Sequence, residues 1–84
     1  MAKIKIYSTP SCVYCKMARE FFDKHGVEYE DADVSANERA LKEMIEKSHQ
    51  MGVPVIDVDG QIFVGFNRSA LEKVLEVNPA PLRY

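Results

Sequence analysis

The sequence has no excess of one charge and no long apolar run. Its 11 Lys and Arg residues stand against 13 Asp and Glu residues, a formal net charge of −2. This balance argues against binding to nucleic acid or to an anionic membrane. No stretch approaches the roughly 20 apolar residues of a transmembrane helix. The first residues, Met1 to Pro10, lack the apolar region of a signal peptide, so we expect a cytoplasmic protein.

Repeats, linkers and low-complexity tracts are also absent from the sequence. The chain has 84 residues, of which 46% are hydrophobic and 29% are charged. These values suit an ordered chain and exclude intrinsic disorder. We therefore expect one domain over residues 1–84, and we expect it to be a monomer.

Cysteine is scarce, and both cysteines, Cys12 and Cys15, lie in one short motif, Cys-Val-Tyr-Cys. A disulfide between them would close too short a loop to add much stability. A zinc site would need about four ligands, and the two histidines, His25 and His49, lie too far apart for a zinc finger. We therefore predict reversible thiol chemistry and no metal site.

Apolar and polar residues alternate in the first part of the chain, and the apolar residues then change to helical spacing. Residues 3–9 read as a strand with Ile4, Ile6 and Ser8 on one face. From Cys12 the apolar residues recur at helical spacing, which predicts an amphipathic helix that ends at Gly26. Its inward stripe is Val13, Met17, Ala18, Phe21 and Phe22.

The middle of the chain predicts an edge strand followed by a helix. Residues 27–34 are acidic and form a weaker strand pattern, which is typical of a sheet edge. Ser35 and Glu38 match a capping box, so we expect a helix from there to the region of His49. Its inward residues are Ala40, Leu41, Met44 and Ile45.

The last part of the chain predicts a hairpin and a short helix. Two β-branched runs, 53–58 and 61–65, flank Asp59-Gly60, a strong hairpin signal. The final helix has Asn67 or Ser69 as its N-cap, and residues 78–81 should stop it. The order β-α-β-α-β-β-α predicts an α/β fold with one four-stranded mixed sheet and three covering helices.

The motif places Cys12 at the start of the first helix. Free backbone N–H groups and the helix dipole favour a thiolate there. Cys15 lies one turn deeper on the same face, so we predict that Cys12 attacks a substrate disulfide and Cys15 resolves the mixed disulfide. Lys16 and Arg19 add positive charge, although the direction of Arg19 stays open.

Pro54 should lie at the same end of the sheet as Cys12. A proline is tolerated at the start of a strand, which is the simplest interpretation. A cis Val53-Pro54 bond would instead turn the N–H and C=O of Val53 towards Cys12. An extended substrate chain could then pair with them as an added strand.

With these motifs, the chain resembles the glutaredoxins of the thioredoxin superfamily over residues 3 to 77. The Cys-x-x-Cys helix start, Val53-Pro54, Asp59-Gly60 and Gly65-Phe66 follow in the family order. The resemblance implies a thioredoxin fold, a cytosolic dithiol–disulfide oxidoreductase and a cis peptide bond. It also implies a substrate groove beside Cys12, which we assign to Tyr14, Val53, Pro54, Gly65, Phe66 and Asn67.

The sequence departs from glutaredoxins that use glutathione. Thr9 stands where they commonly have Lys, Val13 where they often have Pro, and Val64 to Arg68 where they have Gly-Gly-x-Asp-Asp. Gly65-Phe66 with a following Arg68 is similar to NrdH-type redoxins, which are recycled by thioredoxin reductase and reduce ribonucleotide reductase. The partners are therefore protein disulfides, with glutathione or thioredoxin reductase as reductant.

Two further interpretations remain open. A glutaredoxin-like dimer could carry an iron–sulfur cluster on Cys12 and glutathione, and a thioredoxin-fold adaptor would leave the cysteines incidental. We expect no tightly bound cofactor, with glutathione as a candidate co-substrate.

Overall fold

The computed structural model describes residues 3–77 and contains all seven predicted elements in the predicted order. They are β1 (Ile4–Ser8), α1 (Val13–Lys24), β2 (Glu30–Asp33), α2 (Glu38–Ser48), β3 (Val55–Val58), β4 (Gln61–Val64) and α3 (Arg68–Val77). The strands form one four-stranded sheet in the order β2-β1-β3-β4. β1 pairs in parallel with β2 and antiparallel with β3, and β4 pairs antiparallel with β3. The mixed sheet and the edge position of β2 are thus confirmed.

Alternation along β1 divides the core into two layers. Ile4 and Ile6 pack with residues of α1 and α3 in one cluster. Tyr7 packs with Ala40 and Met44 of α2 in the other cluster. Helices α1 and α3 therefore cover one face of the sheet and α2 covers the opposite face.

The predicted apolar stripe of α1 is correct at its end and wrong at its start. Ala18, Phe21 and Phe22 are buried, as expected. Val13 and Met17, however, are 69% and 42% exposed. The buried position in the first turns is Cys15 instead. A period of four residues drifts around a helix that turns every 3.6 residues, so the early members of the stripe leave the buried face.

One of the predicted helix caps lies elsewhere. Ser35 does not cap α2, because its Oγ is 2.5 Å and its N–H 2.9 Å from Asp33 Oδ1, which closes a turn after β2. Asn37 is the cap, and its Oδ1 accepts the N–H of Ala40 at 3.2 Å.

At α3 the structure selects Asn67 over Ser69. The Asn67 Oδ1 accepts the N–H of Ala70 at 3.1 Å, so the helix begins at Arg68 and Ser69 lies inside it. The predicted helix stop at residues 78–81 lies outside the described residues. Within residues 3–77, no helix is both long enough and apolar enough to cross a membrane.

The hairpin between β3 and β4 is confirmed at Asp59-Gly60. Both residues have positive φ, 52° at Asp59 and 93° at Gly60. A two-residue loop of this kind needs positive φ at both central positions, which explains the preference for Asp-Gly. The hairpin brings the end of β4, and with it Gly65, beside the start of β3.

Candidate active site

Cys12 caps α1 with its own sulfur. The turn after β1 brings the Cys12 N–H to 3.3 Å from the Thr9 carbonyl oxygen. Cys12 has an extended backbone, and its Sγ accepts the N–H of Cys15 at 3.2 Å. A sulfur that already accepts a backbone N–H at a helix N-terminus is placed to be stabilised as a thiolate. The predicted position at the helix start is confirmed.

Cys15 is fully buried, whereas Cys12 is half-buried. Burial and a hydrogen bond to Cys12 raise the pKa of Cys15 to about 12. Cys15 therefore keeps its proton near neutral pH and is shielded from an incoming disulfide. Both thiols are free in this structure. The two cysteines thus differ in accessibility in the direction that the sequence predicted, with Cys15 the less exposed.

The segment before β3 faces the cysteines with its backbone. The Val53-Pro54 bond is cis, as the resemblance implied. The carbonyl oxygen of Val53 lies 4.0 Å from Cys12 Sγ. The Gly65 N–H donates to the Pro54 carbonyl oxygen at 2.8 Å, which joins the end of β4 to this segment. Cys12, Val53, Pro54 and Gly65 are therefore brought together.

The other predicted groove residues have different surroundings. Tyr14 is exposed on the first turn of α1, beside Cys12 in sequence. The Phe66 ring packs edge-on against Phe21 of α1, with a centroid distance of 6.0 Å. The Asn67 side-chain oxygen is the cap of α3. A substrate-binding role for these three residues stays a prediction.

Five large hydrophobic side chains are exposed in the segments that carry the cysteines and the Val53 backbone. Among residues 3–75, whose exposure the structure describes, the exposed large hydrophobic residues come from segments that carry the site, and we call this set the apolar rim. Three are on α1, one precedes Val53 and one precedes Gly65: Val13, Tyr14, Met17, Met51 and Val64. Exposed large apolar side chains near a site are a feature of surfaces that bind another protein.

A polar cluster beside the cysteines was not predicted. Arg19 of α1 reaches back to β1 and β2, where its Nη1 is 3.1 Å from Ser8 Oγ and 3.4 Å from Asp31 Oδ2. The strand pattern predicted Ser8 on the same face as Ile4 and Ile6, and this was the available signal; in the structure α1 covers that face. Asp31 belongs to the acidic segment that we predicted at a sheet edge, and its register opposite Ile6 gives it the same face as Ser8.

A half-buried cysteine that caps a helix, a buried cysteine one turn deeper and the backbone of Val53 beside them are the arrangement of a thiol–disulfide redox site. The comparisons with known proteins agree. A family model described as Glutaredoxin matches residues 4–64. A glutaredoxin-like 8.6 kDa protein in the rubredoxin operon of Clostridium pasteurianum is 42% identical over 87% of this chain and 97% of its own length.

Further relatives include both a glutaredoxin and an NrdH protein. Glutaredoxin 3 of Escherichia coli is 33% identical over 73% of this chain and 74% of its own length. The glutaredoxin-like protein NrdH of Lactococcus lactis is 27% identical over 84% of this chain and 97% of its own length. The chain therefore belongs to the glutaredoxin family, and a thiol–disulfide redox role follows from that membership.

Solved structures show the same fold. The glutaredoxin of Archaeoglobus fulgidus superposes with a TM-score of 0.81 at 22% identity, covering 89% of this chain and 87% of its own. The NrdH-redoxin of Escherichia coli superposes with a TM-score of 0.78 at 22% identity, covering 94% of this chain and 99% of its own. The thioredoxin fold is thus confirmed.

Proposed function

We propose that this protein reduces protein disulfides through a dithiol mechanism at Cys12 and Cys15. The observation that supports it best is the asymmetry of the pair. Cys12 is accessible and accepts a helix N–H, whereas Cys15 is buried and its pKa is raised to about 12. Such a pair favours attack by one thiol and resolution by the other.

The reaction proceeds in two exchanges. The Cys12 thiolate attacks one sulfur of the substrate disulfide, forms a mixed disulfide and releases the other sulfur as a thiolate. Cys15 then loses its proton and attacks Cys12 Sγ, which breaks the mixed disulfide and releases the second substrate thiolate. The protein is left with a Cys12–Cys15 disulfide, and the substrate has gained two electrons.

The site suits an extended polypeptide as substrate. Within residues 3–77, the Val53 N–H has no hydrogen-bond partner, and its carbonyl oxygen has only the weak contact with Cys12 Sγ. A substrate segment could pair with this backbone as an added strand. The apolar rim adds surface on either side of the cysteines that a protein could cover.

Three positions near the site bear on which reductant recycles the disulfide. Thr9 offers no positive charge for a glutathione carboxylate, the Asn67 Oδ1 is used in the cap, and Arg68 Nε lies 3.1 Å from Glu72 Oε1 along α3. These features favour recycling by thioredoxin reductase, as in the alternative of an NrdH-type redoxin. The similarity to glutaredoxin 3 favours glutathione as co-substrate. Either reductant would serve in the cytoplasm, where we place the protein.

Recycling of the oxidised protein tests both arms of the proposal. NADPH consumption is followed with glutathione and glutathione reductase, and separately with thioredoxin reductase, while a protein disulfide serves as final acceptor. We expect turnover with at least one system, faster with thioredoxin reductase, and none in Cys12→Ser. A Cys15→Ser variant should accumulate a mixed disulfide with the substrate, visible by mass spectrometry. Turnover that survives in Cys12→Ser would contradict the proposal.

The role of the apolar rim needs a separate variant. Met51→Ser removes a side chain that is 70% exposed, so the fold should tolerate it. We expect slower reduction of a protein disulfide and an unchanged rate with a small aromatic disulfide, which serves as the internal control. Equal effects on both substrates would argue against a protein-binding rim.

A further inference from the structure

A small polar cluster lies on the α1 face of the sheet, next to the buried cysteine. Ser8 is 3% exposed, and its Oγ donates to Asp31 Oδ1 at 2.6 Å. Arg19 completes the cluster by donating from Nη1 to Ser8 Oγ at 3.1 Å and by pairing with Asp31 Oδ2 at 3.4 Å. The side chain of Arg19 is 24% exposed. Its position is therefore fixed by two partners on two different strands.

The same contacts direct Arg19 towards Cys15. Arg19 follows Cys15 by one helical turn, so both lie on the same face of α1. Side chains on a helix lean towards its N-terminus, which is the direction of Cys15. The anchoring residue Ser8 directly precedes Thr9, whose backbone makes a hydrogen bond to the Cys15 thiol. The guanidinium is thus held on the side of α1 where Cys15 is buried.

The charged groups around Cys15 act in opposite directions. Burial and Cys12 raise the pKa of the Cys15 thiol, whereas the Thr9 backbone and the Arg19 charge lower it. Asp31 faces the cluster from β2 and pairs with Arg19 at 3.4 Å, so the positive charge that acts on Cys15 is what this pairing leaves of Arg19. In the part of the chain that the structure describes, Arg19 is thus the charged side chain that offsets the cost of ionising Cys15.

We propose that Arg19, anchored by Ser8 and Asp31, is a positioning residue for the resolving step, where its charge favours the thiolate of Cys15 that attacks the mixed disulfide at Cys12. This inference rests on the dithiol mechanism proposed above. In the step, the Cys15 proton leaves to solvent, the Cys15–Cys12 bond forms, and the bond between Cys12 and the substrate sulfur breaks. Arg19 takes no proton and contacts no reacting atom.

A disulfide that releases a coloured aromatic thiolate separates the two steps in one experiment. The reduced protein is mixed in stopped flow with such a disulfide at less than stoichiometric concentration. The first release of thiolate reports attack by Cys12, and the second reports resolution by Cys15. Both rates are measured as a function of pH for the unaltered protein, Arg19→Gln, Arg19→Lys and the control Lys42→Gln. Lys42 is exposed on α2, which packs on the opposite face of the sheet.

We expect Arg19→Gln to keep the first rate and to slow the second about tenfold at neutral pH, the factor that one pKa unit represents for a thiol that is mostly protonated. Its second-phase profile should move to higher pH by about one unit. Arg19→Lys should restore most of the second rate, because it keeps the charge, and Lys42→Gln should change neither rate. Thermal unfolding of each variant identifies the temperature range in which all of them stay folded.

The two possible failures are distinguishable. A missing first phase in the unaltered protein would overturn the dithiol mechanism and this inference with it. A normal first phase with an unchanged second phase in Arg19→Gln would overturn this inference alone. An equal slowing of the second phase in Arg19→Gln and Arg19→Lys, without a displaced pH profile, would also overturn it and assign Arg19 a purely structural role.

Discussion

Glu43 of α2 lies at the centre of a charged cluster on the face of the sheet opposite the cysteines. Lys5 Nζ is 3.0 Å and Lys47 Nζ 3.4 Å from Glu43 Oε1, and the Tyr7 hydroxyl donates to the same oxygen. Lys47 also pairs with Asp57 Oδ2 at 2.8 Å. One carboxylate therefore joins α2 to β1. Replacement of Glu43 by Gln removes the charge while keeping the size of the side chain.

The size of the effect follows from the pKa of Glu43. Hydrogen bonds from Tyr7, the larger cause, and from Lys5 lower this pKa to about 2. The pKa of a glutamate in the unfolded chain is about 4.3. The difference corresponds to about 3 kcal/mol of stability. The Glu43 side chain is 37% exposed, so screening by solvent reduces the figure to about 1–2 kcal/mol.

The contribution of Glu43 depends on pH in a defined direction. Because folding lowers the pKa, the stabilisation is complete above about 4.3 and is lost as the pH falls towards the folded value. We expect Glu43→Gln to lower the free energy of unfolding at pH 7 by about 1–2 kcal/mol, or the melting temperature by roughly 5–15 °C. The difference from the unaltered protein should shrink below about pH 4.3.

Urea unfolding at a series of pH values measures this difference. Glu46→Gln is the matched control, because Glu46 is exposed on the same helix and makes no ion pair within residues 3–77. The control should leave the stability within about 0.5 kcal/mol of the unaltered protein. A difference for Glu43→Gln that stays constant from pH 7 to pH 3 would refute the assignment of its stabilising effect to the ionised carboxylate.

Three further predictions concern the helix cap, the hairpin and the reductant. Asn67→Ala should lower the free energy of unfolding by about 1 kcal/mol, and Ser69→Ala by much less, because Asn67 is the cap of α3; similar losses in urea unfolding would contradict the cap. Gly60→Ala should cost about 1–2 kcal/mol in the same assay, since φ is 93° there, and an unchanged midpoint would speak against it. Thr9→Lys should raise turnover with glutathione about tenfold, the value of one charge-assisted contact; no gain would show that this contact does not limit the enzyme.

The fold could be predicted from the sequence because each element is indicated by several residues or by a strict backbone requirement. Alternation over β1, the helical spacing in α2 and the Asp59-Gly60 turn each involve several residues or a strict backbone requirement. The caps were harder to predict. Ser35 and Asn37 are both good N-caps, and the choice depends on Asp33, which engages Ser35 in the preceding turn. Such a competition between neighbouring polar groups is not visible in a local pattern.

The site likewise has a part that the sequence predicts and a part that it does not. Cys12 and Cys15 could be found from the motif, because the chemistry requires two thiols at that spacing at a helix start. The cluster of Arg19, Ser8 and Asp31 could not, since it depends on the parallel register that sets Asp31 opposite Ile6. Register joins residues far apart in sequence, and a strand pattern alone leaves it open. Long-range polar contacts are therefore the part of this site that only the structure reveals.

The features that serve disulfide exchange differ from the side chains that would recognise a reductant. In the proposed mechanism, attack and resolution depend on the cap at Cys12, the burial of Cys15 and the backbone of Val53. Beyond the two cysteines and the proposed contribution of Arg19, these features depend on the backbone and on burial rather than on a particular side chain. Recognition of glutathione would depend on side chains such as Thr9, which can change without disturbing the backbone. A glutaredoxin-family chain can therefore keep the reduction of protein disulfides while its source of electrons changes, and this is the reason to test the two reductants separately.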